Sequence, residues 1–234
     1  MRDPNFANPI YAAAVAEQNR LRSKARVEAL PSAPGLVGGA DVSFNRFGTT
    51  FWGGIVVCDA QAGWRIVDEA VVRMEVDFPY IPGLLGFREV PVLVAAWERL
   101  RVRPAVLLVD AHGMAHPRRL GSAAHLGVAL DVPTVGCAKS RLCGEFAEPK
   151  AGRGAWAPLM LEGEVVGCAL RTRAGVKPLF VSVGHRADLD SSRELVLRCC
   201  PRYRIPEPIR LAHKTVNAAR LRRTPTEDAE SELD

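Results

Sequence analysis

The clearest hydrophobic pattern in this chain is an unbroken apolar run from Val106 to Val109 that stops abruptly at Asp110. A run of this length and branching is typical of a strand buried on both faces of a sheet. Other apolar segments, bounded by glycine, proline and polar residues, predict strands at 37–44, 51–58, 64–76 and 133–138 and a hairpin of strands at 165–173 and 178–184. The first three of these strands are joined by short connections, which predicts an antiparallel meander.

Five segments have the composition or the periodicity of helices. Residues 10–30 are rich in Ala, Arg and Glu, lack Gly and Pro, and are followed by Pro31, which ends the predicted helix. Two further helices, 91–101 and 117–130, each begin with a proline, which is well tolerated in a first helical turn. The last two are predicted at 190–199 and 208–221, and the final helix has apolar residues at helical spacing: Ile209, Ala212, Val216 and Ala219.

The order of these elements indicates the fold class. Three meander strands, a helix, a strand, a helix and a strand suit an α/β fold with a mixed sheet flanked by helices. This order resembles that of the ribonuclease H-like fold. No repeat or long linker divides the chain, so we expect one domain over residues 1–223, with the helix at 10–30 packed on it. Residues 224–234 hold acidic side chains and no basic ones, and we expect this tail to be disordered.

Composition narrows the class of protein further. Hydrophobic residues make up 48% and charged residues 24% of the chain, as in ordinary globular proteins. The six cysteines form no CxxC pair, so we expect reduced, mostly buried thiols and a cytoplasmic location. No apolar run approaches about 18 residues, so no membrane segment is expected. The net charge of +5 permits a polyanionic partner without requiring one.

Four polar residues occupy positions where the ribonuclease H-like fold gathers a metal site. In that fold, groups from the first strand, the first core helix, the fourth strand and the last helix converge, and here those positions hold Asp41, Glu89, Asp110 and His213. A carboxylate at the end of a buried strand is costly unless a partner such as a divalent cation compensates its desolvation. Taken singly, Asp110 is also typical of a turn cap, Glu89 of a helix start, and His213 of a structural histidine.

Several motifs together resemble the endonuclease V family, inosine-directed nucleases with a ribonuclease H-like fold. They cover most of residues 36–221 and are Gly39-Ala-Asp-Val-Ser-Phe, Pro79-Tyr-Ile-Pro-Gly-Leu-Leu with Phe87-Arg-Glu, Val109-Asp-Ala-His-Gly with His116-Pro-Arg-Arg, Gly136-Cys-Ala-Lys-Ser, Val183-Gly-His-Arg, and Arg204-Ile-Pro-Glu-Pro-Ile-Arg-Leu-Ala-His. The Pro-Tyr-Ile-Pro-Gly loop and the Ala-His pair of the last helix are the most specific of these.

Two positions depart from the usual family pattern. Ala111 follows the strand-end aspartate where glycine is usual, and its methyl group would crowd a base that approaches the backbone. Residue 86 is glycine, where a bulkier or hydroxyl-bearing residue is common. Neither position is a metal ligand, so these departures bear on base preference more than on catalysis.

The resemblance implies a Mg²⁺-dependent phosphodiesterase site, with Mn²⁺ able to substitute. Hydrolysis needs a water made nucleophilic near neutral pH and a stabilised negative charge at phosphorus, and divalent cations supply both. The implied metal ligands are Asp41, Glu89 and Asp110. His213 is implied as a ligand through water or a proton shuttle. Lys139 would neutralise the scissile phosphate or orient the water, although a strand-end lysine is usually only solvated.

The implied substrate is DNA containing deoxyinosine, nicked in one strand on the 3′ side of the lesion. Reading the inosine edge requires the base to leave the stack, and the rigid loop of Pro79, Tyr80, Ile81 and Pro82 resembles the family's wedge. The structural alternative for this loop is a hydrophobic cover over the core. The expected pocket residues are Gly83, Leu85, Gly113 and Leu142, with His116 beside them. The expected phosphate contacts are Arg88, Arg118 and Arg119.

Other functions remain open at this level. The same site would suit an endoribonuclease acting on inosine in RNA. It would also suit single-stranded nucleic acid as a substrate. A sensor that holds deaminated bases without cutting them is an alternative of another class, and the intact acids argue against it. A junction-type or transposase-type nuclease of the same fold is more distant, because it would not need the wedge loop. We expect a monomer, while the metal count and the role of the acidic tail are not determined by sequence.

Overall fold

An eight-stranded mixed sheet runs through the computed structural model, which describes residues 9–45 and 48–222. Its strands are β1 (Leu36–Phe44), β2 (Thr50–Asp59), β3 (Arg65–Glu75), β4 (Val106–Val109), β5 (Thr134–Ala138), β6 (Trp156–Leu161), β7 (Glu164–Leu170) and β8 (Leu179–His185). The helices are α1 (Pro9–Arg22), α2 (Gly86–Arg99), α3 (Ser122–Leu130), α4 (Leu189–Arg198) and α5 (Glu207–Leu221). The predicted acidic tail at 224–234 lies outside the described residues.

The strand order is β3-β2-β1-β4-β5-β8-β7-β6. Strands β1 to β3 form the predicted antiparallel meander, and β4 and β5 continue from β1 in parallel. Strands β8, β7 and β6 then complete the sheet in antiparallel pairing. The predicted α/β, ribonuclease H-like mixed sheet is therefore confirmed.

Helices cover both faces of the sheet, which explains why the central strands are apolar on both sides. On one face, Val37, Val106 and Leu108 pack with residues of α4 and α5, such as Val196 and Ile209. On the other face, alternate residues of the same strands pack with α2 and α3. No helix in residues 9–45 or 48–222 has both the length and the apolar character needed to cross a bilayer.

Gly39 allows α5 to lie directly against β1. A Cβ atom at Gly39 would come within 2.1 Å of the Pro208 carbonyl group at the start of α5, so only glycine fits there. Asp41 is two residues along β1 and therefore faces the same helix. This close approach brings His213 of α5 up to the end of β1.

Helix α1 is shorter than the predicted helix at 10–30 and ends at Arg22. The following residues have a helical composition, but tertiary contacts take their backbone groups. The Arg26 N–H donates to His185 Nδ1 (3.2 Å) and the Leu30 N–H to Ser191 Oγ (3.0 Å). Local propensity is overridden here by contacts far away in the sequence.

Two helix starts also differ from their prediction. Helix α2 begins at Gly86, so Pro91 lies inside it rather than in its first turn, and Glu89 becomes a first-turn residue. Helix α3 begins at Ser122 instead of residue 117. The reason is local, because Arg119 has a left-handed φ of 59° and Gly121 has an extended backbone, and neither conformation continues a helix.

Candidate active site

Three of the predicted site residues meet where β1 and β4 end beside α5. One ligand atom each from Asp41, Asp110 and His213 lies within 4.8 Å of the others. Asp41 is buried in β1, Asp110 directly follows β4, and His213 is on the exposed side of α5. Because β1 and β4 are parallel neighbours, their carboxyl ends emerge at one edge of the sheet.

Each carboxylate of this group has a basic or hydrogen-bonding partner. The Asp41 side chain accepts a hydrogen bond from the Val42 N–H (2.9 Å) and lies 2.7 Å from His213 Nδ1. The Asp110 carboxylate forms an ion pair with the Lys139 ammonium group, at the end of β5. Burial raises the pKa of Asp41, and the neighbouring Asp110 charge raises it further, while the hydrogen bond with His213 opposes both effects.

A hydrogen-bond chain fixes the orientation of His213. Arg220 Nε donates to Ser43 Oγ (2.8 Å), and Ser43 Oγ donates to Asn217 Oδ1 (2.7 Å). The Asn217 amide nitrogen therefore faces His213 Nε2 at 3.0 Å and donates to it. The imidazole proton is then on Nδ1, directed at Asp41.

Glu89 lies next to this group, in the first turn of α2. Although the residue as a whole is half-buried, its carboxyl group is desolvated, and this desolvation is the largest cause that raises its pKa to about 7. The carboxylates of Asp41 and Asp110 raise this pKa as well, while a hydrogen bond with Ser122 and the charge of Arg88 lower it. Glu89 is not among the side chains whose ligand atoms lie within 4.8 Å of one another, but its charge interacts with those of both aspartates. Mutually repelling carboxylates of this kind are typical of a cation site.

The donor set fits a hard divalent cation. Asp41, Asp110 and Glu89 offer carboxylate oxygens, which Mg²⁺ and similar ions prefer, and His213 adds one imidazole nitrogen. The repulsion among the acids would be relieved by such an ion. The arrangement is thus compatible with a divalent metal, without specifying which one.

A pocket of about 360 Å³ opens beside the acidic group. Of the predicted substrate-binding residues, six line it: Tyr80, Ile81, Gly83, Leu85, His116 and Leu142. Asp110 and Lys139 also line it, as do Ala111 and His112. The pocket and the acids therefore share a wall. Burial is the largest cause that lowers the pKa of His116, to about 4, so this side chain is neutral near pH 7.

The wedge loop has one side in the protein and one side in solvent. Ile81 is 6% exposed and Tyr80 is 69% exposed, so the loop is anchored by Ile81 and presents Tyr80 outward. Pro79 and Pro82 are exposed beside Tyr80 and do not line the pocket. An exposed aromatic side chain at the mouth of a pocket is typical of a binding surface.

Two arginines predicted to contact phosphates have protein partners instead. Arg119 is 4% exposed and pairs with Glu162 (3.2 Å) and Glu164 (3.1 Å). Arg88 is buried with its guanidinium group 4.7 Å from the centre of the Phe51 ring. The structure does not support a phosphate contact by either one, because a buried charge that already has partners is costly to expose.

Arg118 and Gly113 also have structural contacts. Arg118 donates to the Gly83 carbonyl (2.8 Å) and to the Gln18 side chain, so it braces the pocket from behind. Gly113 is buried with Ser182 Oγ 2.8 Å from its N–H, and a Cβ there would meet the Val183 carbonyl. Gly113 therefore allows close backbone packing and does not line the pocket.

Sequence reasoning missed three residues that support the site: Ser122, Asn217 and Gln18. Ser122 bonds to Glu89 and also lines the pocket. Asn217 lies one helical turn after His213, and this spacing is the only sequence signal that pointed to it. Gln18 had no signal, because its partners lie far away along the chain.

Comparisons with known proteins agree with this geometry. The family model described as Endonuclease V matches residues 19–214. An endonuclease V of Myxococcus xanthus (strain DK1622) is 49% identical over 224 residues, which cover 94% of this chain and 92% of that relative. The crystal structure of an endonuclease V from Streptomyces avermitilis has a TM-score of 0.85 and 44% identity, covering 89% of this chain and 92% of that one.

At least two similar structures contain a nucleic acid. The first is a Ciona intestinalis endonuclease V in complex with a 23mer DNA containing an inosine followed by a ribo-adenosine. Its TM-score with this chain is 0.77 at 28% identity, covering 92% of this chain and 98% of that one.

Proposed function

Because this chain belongs to the endonuclease V family and is a nuclease, we propose that it recognises deoxyinosine in DNA and nicks one strand on the 3′ side of the lesion with Mg²⁺. The observation that carries this proposal is that the pocket lies directly beside the acidic group: Asp110 of that group and its partner Lys139 both line the pocket. A base turned out of the helix into this pocket brings its own backbone next to the acidic group.

The chemistry is distributed over side chains with separate tasks. Asp41, Glu89 and Asp110 would hold the divalent cation, with Mn²⁺ as a substitute for Mg²⁺. When bound, such a cation lowers the pKa of water and supplies positive charge for the developing phosphorane. Lys139 lies beside Asp110 and neutralises charge on the phosphate. His213, oriented by Asn217, holds or moves a proton at Nδ1.

Base recognition uses the loop and the pocket together. Tyr80, flanked by Pro79 and Pro82, fills the space that the displaced base leaves in the stack. Gly83, Leu85, His116 and Leu142 line the pocket that would receive the base. A neutral His116 lines this pocket, and its Nδ1 accepts a hydrogen bond from the Arg118 N–H (3.1 Å). Arg118 is the remaining candidate for a phosphate contact, although two of its guanidinium nitrogens already donate to Gln18 and to the Gly83 carbonyl.

An end-labelled duplex with one deoxyinosine tests the proposal. We expect one cut in the labelled strand with Mg²⁺ or Mn²⁺, none with EDTA, and none in a matched duplex with deoxyadenosine. The length of the labelled product gives the position of the cut. Equal cleavage with and without EDTA, or no cleavage with either metal, would contradict the proposal.

Inosine-containing RNA is a second candidate substrate. The specific observation in its favour is that the Ciona relative was solved on DNA with a ribo-adenosine after the inosine. Paired substrates that differ only in the sugar next to the cleaved bond separate the two possibilities. Faster cleavage after a ribonucleotide would favour RNA, and binding without any cleavage would favour a sensor of deaminated bases.

A further inference from the structure

Gln18 connects two sides of the pocket that lie far apart in the sequence. It is in helix α1 and is 3% exposed. Its amide nitrogen donates to the Gly83 carbonyl (3.1 Å) and to the Leu120 carbonyl (2.8 Å). Gly83 lies just before α2 and Leu120 just before α3, and both residues line the pocket. One amide group therefore ties two separate segments of the pocket lining together.

The remaining polar atom of Gln18 also has a partner inside the protein. Gln18 Oε1 accepts a hydrogen bond from Arg118 Nε, and Arg118 Nη2 in turn donates to the Gly83 carbonyl (2.8 Å). Both amide hydrogens and the amide oxygen are therefore used within the protein. Gln18 does not line the pocket, so its effect on a bound base must be indirect.

Apolar contacts attach α1 to the same loop. Tyr11 and Ala14 of α1 pack with Ile81 and Leu84 of the wedge loop in one buried cluster. Gly83, between these two loop residues, has a left-handed φ of 78° that suits glycine. The loop backbone at Gly83 is thus held by Gln18 and Arg118, while its flanking side chains are held by α1.

We propose that Gln18 is a positioning residue that sets the width of the base pocket and thereby the preference for inosine over adenosine. This inference rests on the proposed function. Bases that differ in one edge are separated only by hydrogen bonds placed with small tolerance. Without the Gln18 amide, the Leu120 carbonyl loses this donor, while the Gly83 backbone keeps its hydrogen bonds with Arg118 and His116. The direct link between the two segments is then lost.

Two variants of nearly unchanged shape test this inference. Gln18→Met removes all three hydrogen bonds, and Gln18→Glu keeps an acceptor for Arg118 but loses the donors to Gly83 and Leu120. The control is Arg20→Ala, because Arg20 is exposed on the same helix and its guanidinium group pairs with Glu17. We expect both Gln18 variants to raise KM for the inosine duplex about tenfold, the effect of about 1.4 kcal/mol. We expect kcat to change far less and the inosine-to-adenosine ratio of kcat/KM to fall.

A second measurement does not depend on cleavage. Hydrogen exchange of the DNA-free protein should be faster at residues 81–87 in both Gln18 variants, and unchanged in β4 and β5. Unchanged exchange there, or an unchanged KM and base ratio in Gln18→Met, would overturn the inference. The inference would also be overturned if KM, the base ratio and hydrogen exchange of Gln18→Glu equalled those of the wild type. The donors to the two carbonyls would then be dispensable.

The two proposals fail in different ways. A wild-type protein that does not cut inosine DNA contradicts the proposed function, while hydrogen exchange still tests the role of Gln18. A wild-type protein that cuts, together with unaffected Gln18 variants, contradicts only the role of Gln18. If Gln18→Met does not fold at the assay temperature, Gln18→Glu carries the same comparison.

Discussion

Asp110 is the residue on which the two parts of the site meet. It pairs with Lys139, lies within 4.8 Å of ligand atoms of Asp41 and His213, and lines the pocket beside them. A single side chain therefore belongs both to the acidic group and to the pocket that we propose receives the base. Its replacement should separate catalysis from binding.

We predict that Asp110→Asn loses cleavage by at least about 100-fold and still binds the inosine duplex. The amide keeps the size of the carboxylate but is a much weaker ligand for a divalent cation. Labelled-duplex cleavage and fluorescence anisotropy measure the two properties. Asp59→Asn is a suitable control, because Asp59 is at the far end of β2 and its carboxylate accepts hydrogen bonds within its own turn. Full cleavage by Asp110→Asn would remove Asp110 from the catalytic group.

Glu89 gives a prediction about pH in the metal-free protein. Its pKa of about 7 in the folded state lies above the ordinary value of 4.5, so the folded protein binds this proton more tightly than the unfolded chain. The stability linked to this proton is fully present below about pH 4.5 and is lost as the pH rises towards 7. In EDTA, the Tm of the wild type should therefore fall between pH 5 and 8 relative to the Tm of Glu89→Gln. Each kcal/mol of lost stability should lower the Tm by about 2–4 °C.

Glu98→Gln is the matched control for this measurement. Glu98 is exposed on the same helix, so its replacement should leave the pH dependence of Tm as in the wild type. A constant Tm difference between wild type and Glu89→Gln across this pH range would contradict the assigned environment of Glu89. Divalent cation should reduce the difference, because it compensates the charge that Glu89 acquires.

At the scale of elements, the wedge loop combines a fixed base with an exposed tip. We predict that Tyr80→Ala reduces discrimination between inosine and adenosine while changing stability by no more than about 0.5 kcal/mol. The reason is that Tyr80 is 69% exposed, whereas Ile81 and Leu84 anchor the loop in the core. Binding to inosine and adenosine duplexes and thermal unfolding measure the two effects.

Tyr203→Ala is the control for Tyr80→Ala. Tyr203 is also exposed but lies away from the pocket, against Arg210. Equal discrimination by Tyr80→Ala and the wild-type protein would contradict the wedge role. A large loss of stability in Tyr80→Ala would instead indicate that the tip is a structural cover.

The elements that sequence predicted well are those whose pattern is set locally. The bounds of β4 and α5 were predicted closely. A strand buried on both faces has a continuous apolar run, and a helix buried on one face has apolar residues at helical spacing, so each leaves a distinct pattern in the sequence. Strand β6 was missed because Pro158 and nearby glycines favour a loop. Proline is tolerated there because β6 is the edge strand of the sheet.

The site was predictable where topology alone brings residues together. Asp41 and Asp110 directly follow the last residue pair of the parallel strands β1 and β4, so their meeting followed from the element order. The partners of Arg119 could not be found in this way, because Glu162 and Glu164 lie on the β6–β7 hairpin and no short-range pattern relates them to Arg119. Gln18 escaped prediction for the same reason, since its two carbonyl partners are defined only by the folded chain.

At the scale of the whole molecule, the basic excess should govern how tightly DNA binds. The net charge of the chain is +5. Binding that neutralises phosphates releases counterions, so the affinity falls as salt rises.

We predict that the log of the binding constant falls linearly with the log of salt, by about 0.9 for each phosphate contact. Asp110→Asn allows this measurement without cleavage. Substitution of Arg119, which is buried with Glu162 and Glu164, should leave the slope unchanged if the variant folds. An affinity that does not depend on salt would show that phosphate contacts contribute little.

The docking of α5 against β1 has a consequence for the protein during its synthesis. Asp41, Glu89 and Asp110 all precede residue 111, whereas His213 and Asn217 lie on the last described helix. A growing polypeptide can form the first four strands, but it cannot bring His213 to Asp41 before α5 has left the ribosome. The hydrogen bond between His213 and Asp41 is therefore among the last contacts of the candidate site that a growing chain can make.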